Sequence, residues 1–235
     1  MKVWQRYAAE ALGTFILVGV GTGSILAVQF AGEPSLLVVS LAFGLAFATA
    51  LYTVGRVSGG HFNPALSLGA FLDRRIGLID MLWYWIAQIS GALVASLAFL
   101  WILDADAVAS TYTQINRAAV NEAGGFIAEA VFTMVFVMAV LALGKSRAHI
   151  KYLGMGMALS AIHLVGLVFT GASVNPARSF APALVGNTWD GFWLYVLGPA
   201  AGAVLGWVLY RVVVLGDTDF SDDAEEIAGA VITEA

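Results

Sequence analysis

The sequence has no cysteine. That excludes a disulfide framework, thiol chemistry and any cysteine-based metal site. It also predicts that mercurials find no thiol to block. Charge is scarce too. Only 11% of the 235 residues are charged, against roughly a quarter in an ordinary soluble domain. The chain shows no nucleophile–base pair, no metal cluster and no phosphate-binding loop. It does not read as an enzyme, and no metal, cofactor or nucleic-acid partner is expected. What is there instead is apolar. Hydrophobic residues make up 60% of the chain, and most of such a chain must face lipid or other buried apolar surface.

Six apolar segments lie near residues 6–28, 36–55, 82–103, 124–143, 152–170 and 191–214. Each approaches the roughly 20 residues that a helical span of a bilayer needs. The first lacks a small-residue cleavage site followed by soluble sequence, so it reads as a retained span and not a signal peptide. An even number of spans puts both termini on one side. Lys2, Arg6, Arg56, Arg74, Arg75, Lys145, Arg147, Lys151 and Arg211 fall on that side, and Arg117 falls on the other. The excess of basic residues predicts that both termini are cytoplasmic. Seven of the sixteen acids lie between positions 217 and 234, which reads as a solvated, disordered end.

The two halves resemble each other. "AEALGTFILV" from Ala9 answers "AEAVFTMVFV" from Ala128, and "FNPALSLGAFL" answers "VNPARSFAPAL". With three spans per half, the second copy enters from the opposite face, which makes an inverted repeat. The expected parts are a first repeat over 1–115, a second over 116–215 and an acidic cytoplasmic tail over 216–235. The expected fold is an all-α membrane protein, with six transmembrane helices plus two re-entrant half-helices.

The half-helices follow from the doubled Asn-Pro-Ala. Asn is a preferred N-cap, and Pro suits the first helical position, where its missing N–H costs nothing. Asn63, Pro64 and Ala65 therefore start one helix, and Asn175, Pro176 and Ala177 start another. About ten residues separate Asn63 from the charged Asp73-Arg74-Arg75. That is ~15 Å of helix, half of a roughly 30 Å hydrocarbon core. Irregular backbone at that depth must be buried in protein or line a wet cavity. Gly59, Gly60 and His61, and Gly171, Ala172 and Ser173, are thus expected to turn carbonyls toward a lumen. Each Asn can cap its helix through Oδ1 and still offer NH2 protons. Two positive helix ends facing the centre would repel protons and other cations. A single Asn-Pro would be an ordinary turn or cap; two in matching places of a repeat point to a pore for neutral solutes.

These residues resemble the aquaporin, or major intrinsic protein, family from about position 6 to position 215, and most resemble its orthodox water-channel branch. The resemblance rests on both Asn-Pro-Ala motifs, the Ala-Glu start of each half, "SGGHFNPA" and "NPARSF". It implies a passive water channel in each protomer of a homotetramer in the cell membrane. It also implies a narrow filter at Phe43, His163, Ala172 and Arg178. Phe43 stands twenty residues before Asn63; His163 and Ala172 stand twelve and three before Asn175, and Arg178 three after it. Without the family spacing, His163 would read as a packing histidine and Phe43 as core or lipid contact. Arg178 at membrane depth already points to function. Ala172 is smaller than the residue usual in strict water channels and is expected to widen the filter. That leaves glycerol, ammonia and hydrogen peroxide as alternative solutes. Glu10 and Glu129, at equivalent places of the two halves, could be the coupling site of an ion-driven transporter. The resemblance implies instead that they hold the re-entrant loops. Gly198, Gly202 and Gly206, spaced by four, suit close helix packing, and Trp4, Trp83 and Trp189 suit membrane interfaces.

Overall fold

The computed structural model describes residues 2–148 and 150–217. The expected disordered segment lies outside the described residues except for its first two positions. Six helices are long and apolar enough to cross a membrane. They are α1 (Val3–Phe30), α2 (Leu36–Ser58), α4 (Leu78–Ile102), α6 (Glu122–Gly144), α7 (Lys151–Thr170) and α9 (Leu194–Leu209). The last continues as a π-helical turn over Tyr210–Leu215. Between them lie the short helices α3 (Pro64–Leu72), α5 (Ala105–Ser110) and α8 (Pro176–Val185). No strand occurs among the described residues.

Local signals place most ends. Ser35 caps α2 by accepting from the Val38 N–H, Asp104 caps α5 through Ala107, and Asn121 caps α6 through Gly124. Gly59 at φ +99° and Gly171 at φ +77° end α2 and α7. A residue with a Cβ would be strained at both. The chain therefore breaks just where each re-entrant segment begins. α4 starts at Leu78, before the expected position 82. The extra first turn carries the charge of Asp80, which Arg6 Nη1 binds at 2.8 Å. α5 carries too few residues to show a period, and the sequence reading does not contain it.

The long helices pack in matching pairs: α1 with α2 and α4, α6 with α7 and α9, and α2 with α7 across the middle. Glycines set the separation. A Cβ on Gly91 of α4 would lie 2.0 Å from the Ala11 carbonyl oxygen of α1. One on Gly202 of α9 would lie 2.4 Å from the Ala130 oxygen of α6. Gly44 of α2 and Gly156 of α7 approach each other's backbone the same way. With lipid as solvent, such close contact is what holds helices together. The half-helices α3 and α8 lie inside this frame, and their N-termini meet.

Candidate functional site

The meeting point is a reciprocal clamp. Asn63 Nδ2 donates to the Val174 carbonyl at 2.7 Å, and Asn175 Nδ2 donates to the Phe62 carbonyl at 2.9 Å. Each Asn thus binds the residue just ahead of the other. Each Asn Oδ1 caps its own helix, Asn63 from the Ala65 N–H and Asn175 from those of Ala177 and Arg178. One NH2 proton of each amide is spent across the junction, and the second remains.

Phe62 and Val174 are both left-handed, at φ +52° and +45°. For a β-branched residue that is an outlier. Both are held at their two ends. The carbonyl takes the opposite Asn, and the N–H goes to a buried carboxylate. Glu10 accepts from Ser58 Oγ (2.6 Å), the His61 N–H (3.0 Å), the Phe62 N–H (2.7 Å) and Gln88 Nε2 (2.7 Å). Glu129 accepts from Thr170 Oγ1 (2.7 Å), the Ser173 N–H (2.9 Å) and the Val174 N–H (2.8 Å). Every partner donates, so the oxygens of both carboxylates act as acceptors. Ring space is supplied by α1: a Cβ on Gly13 would strike the Phe62 ring, and one on Gly21 the Phe43 ring.

With those N–H groups committed, the carbonyls stay open. Among the described residues, no protein donor reaches the carbonyls of Gly59, Gly60, His61, Gly171, Ala172 or Ser173. On the side of the chain termini this backbone opens into a cavity of about 280 Å³. Its lining includes Arg6, Ser58, His61, Arg75 and Lys151.

On the other side of the clamp, Phe43, His163 and Arg178 come together. The Phe43 and His163 rings stack with centroids 4.3 Å apart, and Arg178 Cζ lies 5.3 Å from the Phe43 centroid. They border, with both Asn residues, a cavity of only about 10 Å³. That is about the smallest space that admits one water molecule. His163 Nδ1 lies 3.0 Å from the Leu159 carbonyl. A carbonyl only accepts, so the neutral ring carries its proton on Nδ1 and leaves Nε2 as an acceptor. Among the described residues, Nε2 has no protein partner. Arg178 is 2% exposed and donates from Nη1 to the Thr111 carbonyl, while its Nε has no partner among the described residues. It has no ion pair among them either. Ala172 is fully buried and does not border this cavity. Its methyl faces α7, where a Cβ on Gly166 would come within 2.8 Å of it. Farther out, Arg117 pairs with Asp190 at 3.1 Å, and that hydrogen bond holds the exposed guanidinium above the usual arginine range.

Several residues of this network are absent from the sequence reading. Tyr84 OH donates to the Ser58 carbonyl at 2.6 Å, and Tyr195 OH donates to the Thr170 carbonyl at 3.0 Å. Ser67 Oγ joins His61 Nδ1 and Gln88 Nε2. Ser179 Oγ joins Ser173 Oγ and Thr113 Oγ1. A signal exists for the hydroxyl residues, though not for the two tyrosines. Each Asn has a hydroxyl residue five positions before it, Ser58 and Thr170, and a serine four positions after it, Ser67 and Ser179.

Three comparisons with known proteins agree. Residues 1–210 match a family described as Major intrinsic protein. The chain is 37% identical to "Glycerol uptake facilitator protein-like 6" of Lactiplantibacillus plantarum, covering 89% of this chain and 98% of that one. It is 39% identical to "Aquaporin Z" of Rhodopseudomonas palustris, covering 89% and 93%. Its backbone is similar to an aquaglyceroporin from Plasmodium falciparum, with a TM-score of 0.84 at 22% identity over 92% of this chain and 98% of that one.

Proposed function

The chain belongs to the major intrinsic protein family of membrane channels, and on that premise we propose that it conducts water passively in both directions. The observation that carries this reading is the 10 Å³ space between Phe43, His163, Arg178 and the two Asn caps. That volume is close to what a single water needs, which supports water over a larger solute. Phe43 supplies an apolar wall, His163 Nε2 an acceptor and Arg178 a donor and a positive charge. The open carbonyls of residues 59–61 and 171–173 form two acceptor rows, one on each side of the Asn pair. Cations meet Arg178 and then two positive helix ends. Glu10 and Glu129 are spent on loop hydrogen bonds, which argues against an ion-coupled transporter.

The functional form in this reading is a homotetramer in the cell membrane. The face carrying both chain ends is cytoplasmic, and the acidic segment 216–235 is a cytoplasmic tail. A second reading, a broader channel for glycerol, ammonia or hydrogen peroxide, is favoured by the name of the Lactiplantibacillus relative.

Stopped-flow light scattering on proteoliposomes separates the two. Under sucrose shock the water channel shrinks vesicles quickly with a low activation energy. Under glycerol shock it gives no re-swelling beyond that of empty vesicles. Glycerol re-swelling above that of empty vesicles would establish the broader channel. Well-folded protein with neither flux would sink both.

A further inference from the structure

A third cavity, of about 290 Å³, lies away from the pore. Its floor is Pro64, Ala65 and Pro176, the first turns of the two half-helices. Trp85 and Ile89 of α4 wall one side, and Val196 and Ala200 of α9 wall the other. These wall residues are half-buried, so the cavity is a groove open to the outside between α4 and α9. Trp85 lies seven residues into α4, which is ~10 Å along a helix that crosses a roughly 30 Å core. The groove is therefore at hydrocarbon depth.

We propose that this groove binds one acyl chain of a bilayer phospholipid, laid along the junction of the half-helices. Water is a poor occupant because it needs polar partners. Pro64 and Pro176 have no N–H, and the one side-chain donor in the wall, Trp85 Nε1, is already bound to the Pro64 carbonyl at 3.0 Å. An empty groove would forfeit the dispersion contacts of its whole lining. A helix from a second copy is a poor occupant as well. Helix-on-helix contact in lipid favours small residues, whereas the exposed residues of these two helices include Ile86, Val94 and Leu97 on α4 and Leu197, Val204 and Leu205 on α9. Bulky aliphatic surface of this kind suits hydrocarbon.

The test uses the full chain in phosphatidylcholine vesicles containing a lipid with a diazirine in its acyl chain. After irradiation, mass spectrometry should place adducts on peptides carrying Trp85, Ile89, Val196 and Ala200 in excess of those on Val94 and Leu97. Ala200→Phe, or Ile89→Trp if that variant fails to fold, fills the groove and should remove most of the groove adducts while sparing the surface ones. Uniform labelling that neither variant changes would overturn the proposal. So would either of two results with Ala200→Cys, the sole thiol in this chain. A disulfide-linked dimer would make the groove a contact between copies, and rapid reaction with a membrane-impermeant thiol reagent would make it wet.

Discussion

Val174 holds a backbone conformation that costs a β-branched residue ~1–3 kcal/mol, and it is kept there from both sides. Its N–H is bound by Glu129 and its carbonyl by Asn63. Glu129→Ala removes the acceptor for three buried donors, each worth about 1–3 kcal/mol when left unanswered. The variant should therefore lose at least about 3 kcal/mol, read as earlier thermal aggregation in detergent, and flux should fall with the folded fraction. A Glu129→Ala protein with unchanged melting and flux would refute the holding role. Tyr195→Phe deletes one hydrogen bond to the same loop, at the Thr170 carbonyl. It should cost only about 1 kcal/mol and leave water flux intact. Asn63→Asp acts differently. It withdraws the donor from the Val174 carbonyl and sets a carboxylate where two helix N-termini converge, which stabilises an anion there. A proton leak, measured with a pH dye trapped in vesicles, is the expected result; vesicles as tight as wild type would weaken the barrier assigned to the helix ends.

Helix contacts in this chain are decided by where a Cβ fits. At Gly202 it would meet the Ala130 oxygen at 2.4 Å and the Met134 nitrogen at 3.0 Å, both backbone atoms. Ala gains up to ~1 kcal/mol of helix propensity over Gly, but overpacking costs typically ~1–3 kcal/mol. Gly202→Ala should thus destabilise. At Gly19 the nearest atom would be the Ala95 Cβ at 3.8 Å, which is ordinary contact. Gly19→Ala should instead stabilise by up to ~1 kcal/mol. Melting both variants in one detergent checks the two opposite signs. The same contrast explains what was legible beforehand. Long apolar runs announce the spans, and doubled Asn-Pro-Ala announces the half-helices, because composition and capping are local. Glu10 and Glu129 stand out as charges in apolar sequence. Tyr84 and Tyr195 do not, because each binds a backbone carbonyl more than twenty residues away. Ala172 shows the limit of position matching: its spacing to Asn175 is readable, but the direction of its methyl, toward α7, is a matter of packing.

For the molecule as a whole, the missing thiol is a usable property. Mercurials should leave water flux unchanged in vesicles that respond normally to osmotic shock. Inhibition reversed by added thiol would require another target. The reciprocal Asn clamp also bears on how the channel is made. Phe62 and Asn63 emerge from the ribosome more than a hundred residues before Val174 and Asn175. Until the second half arrives, the Phe62 carbonyl lacks its donor and Asn63 lacks its acceptor, inside a membrane that offers neither. The first half must therefore wait in an incomplete state, exposed to quality control. Two fragments, 1–115 and 116–235, should each be degraded when produced alone and should protect one another when produced together. Biosynthesis of this channel is then a rendezvous, with the pore closing its own backbone at the last step.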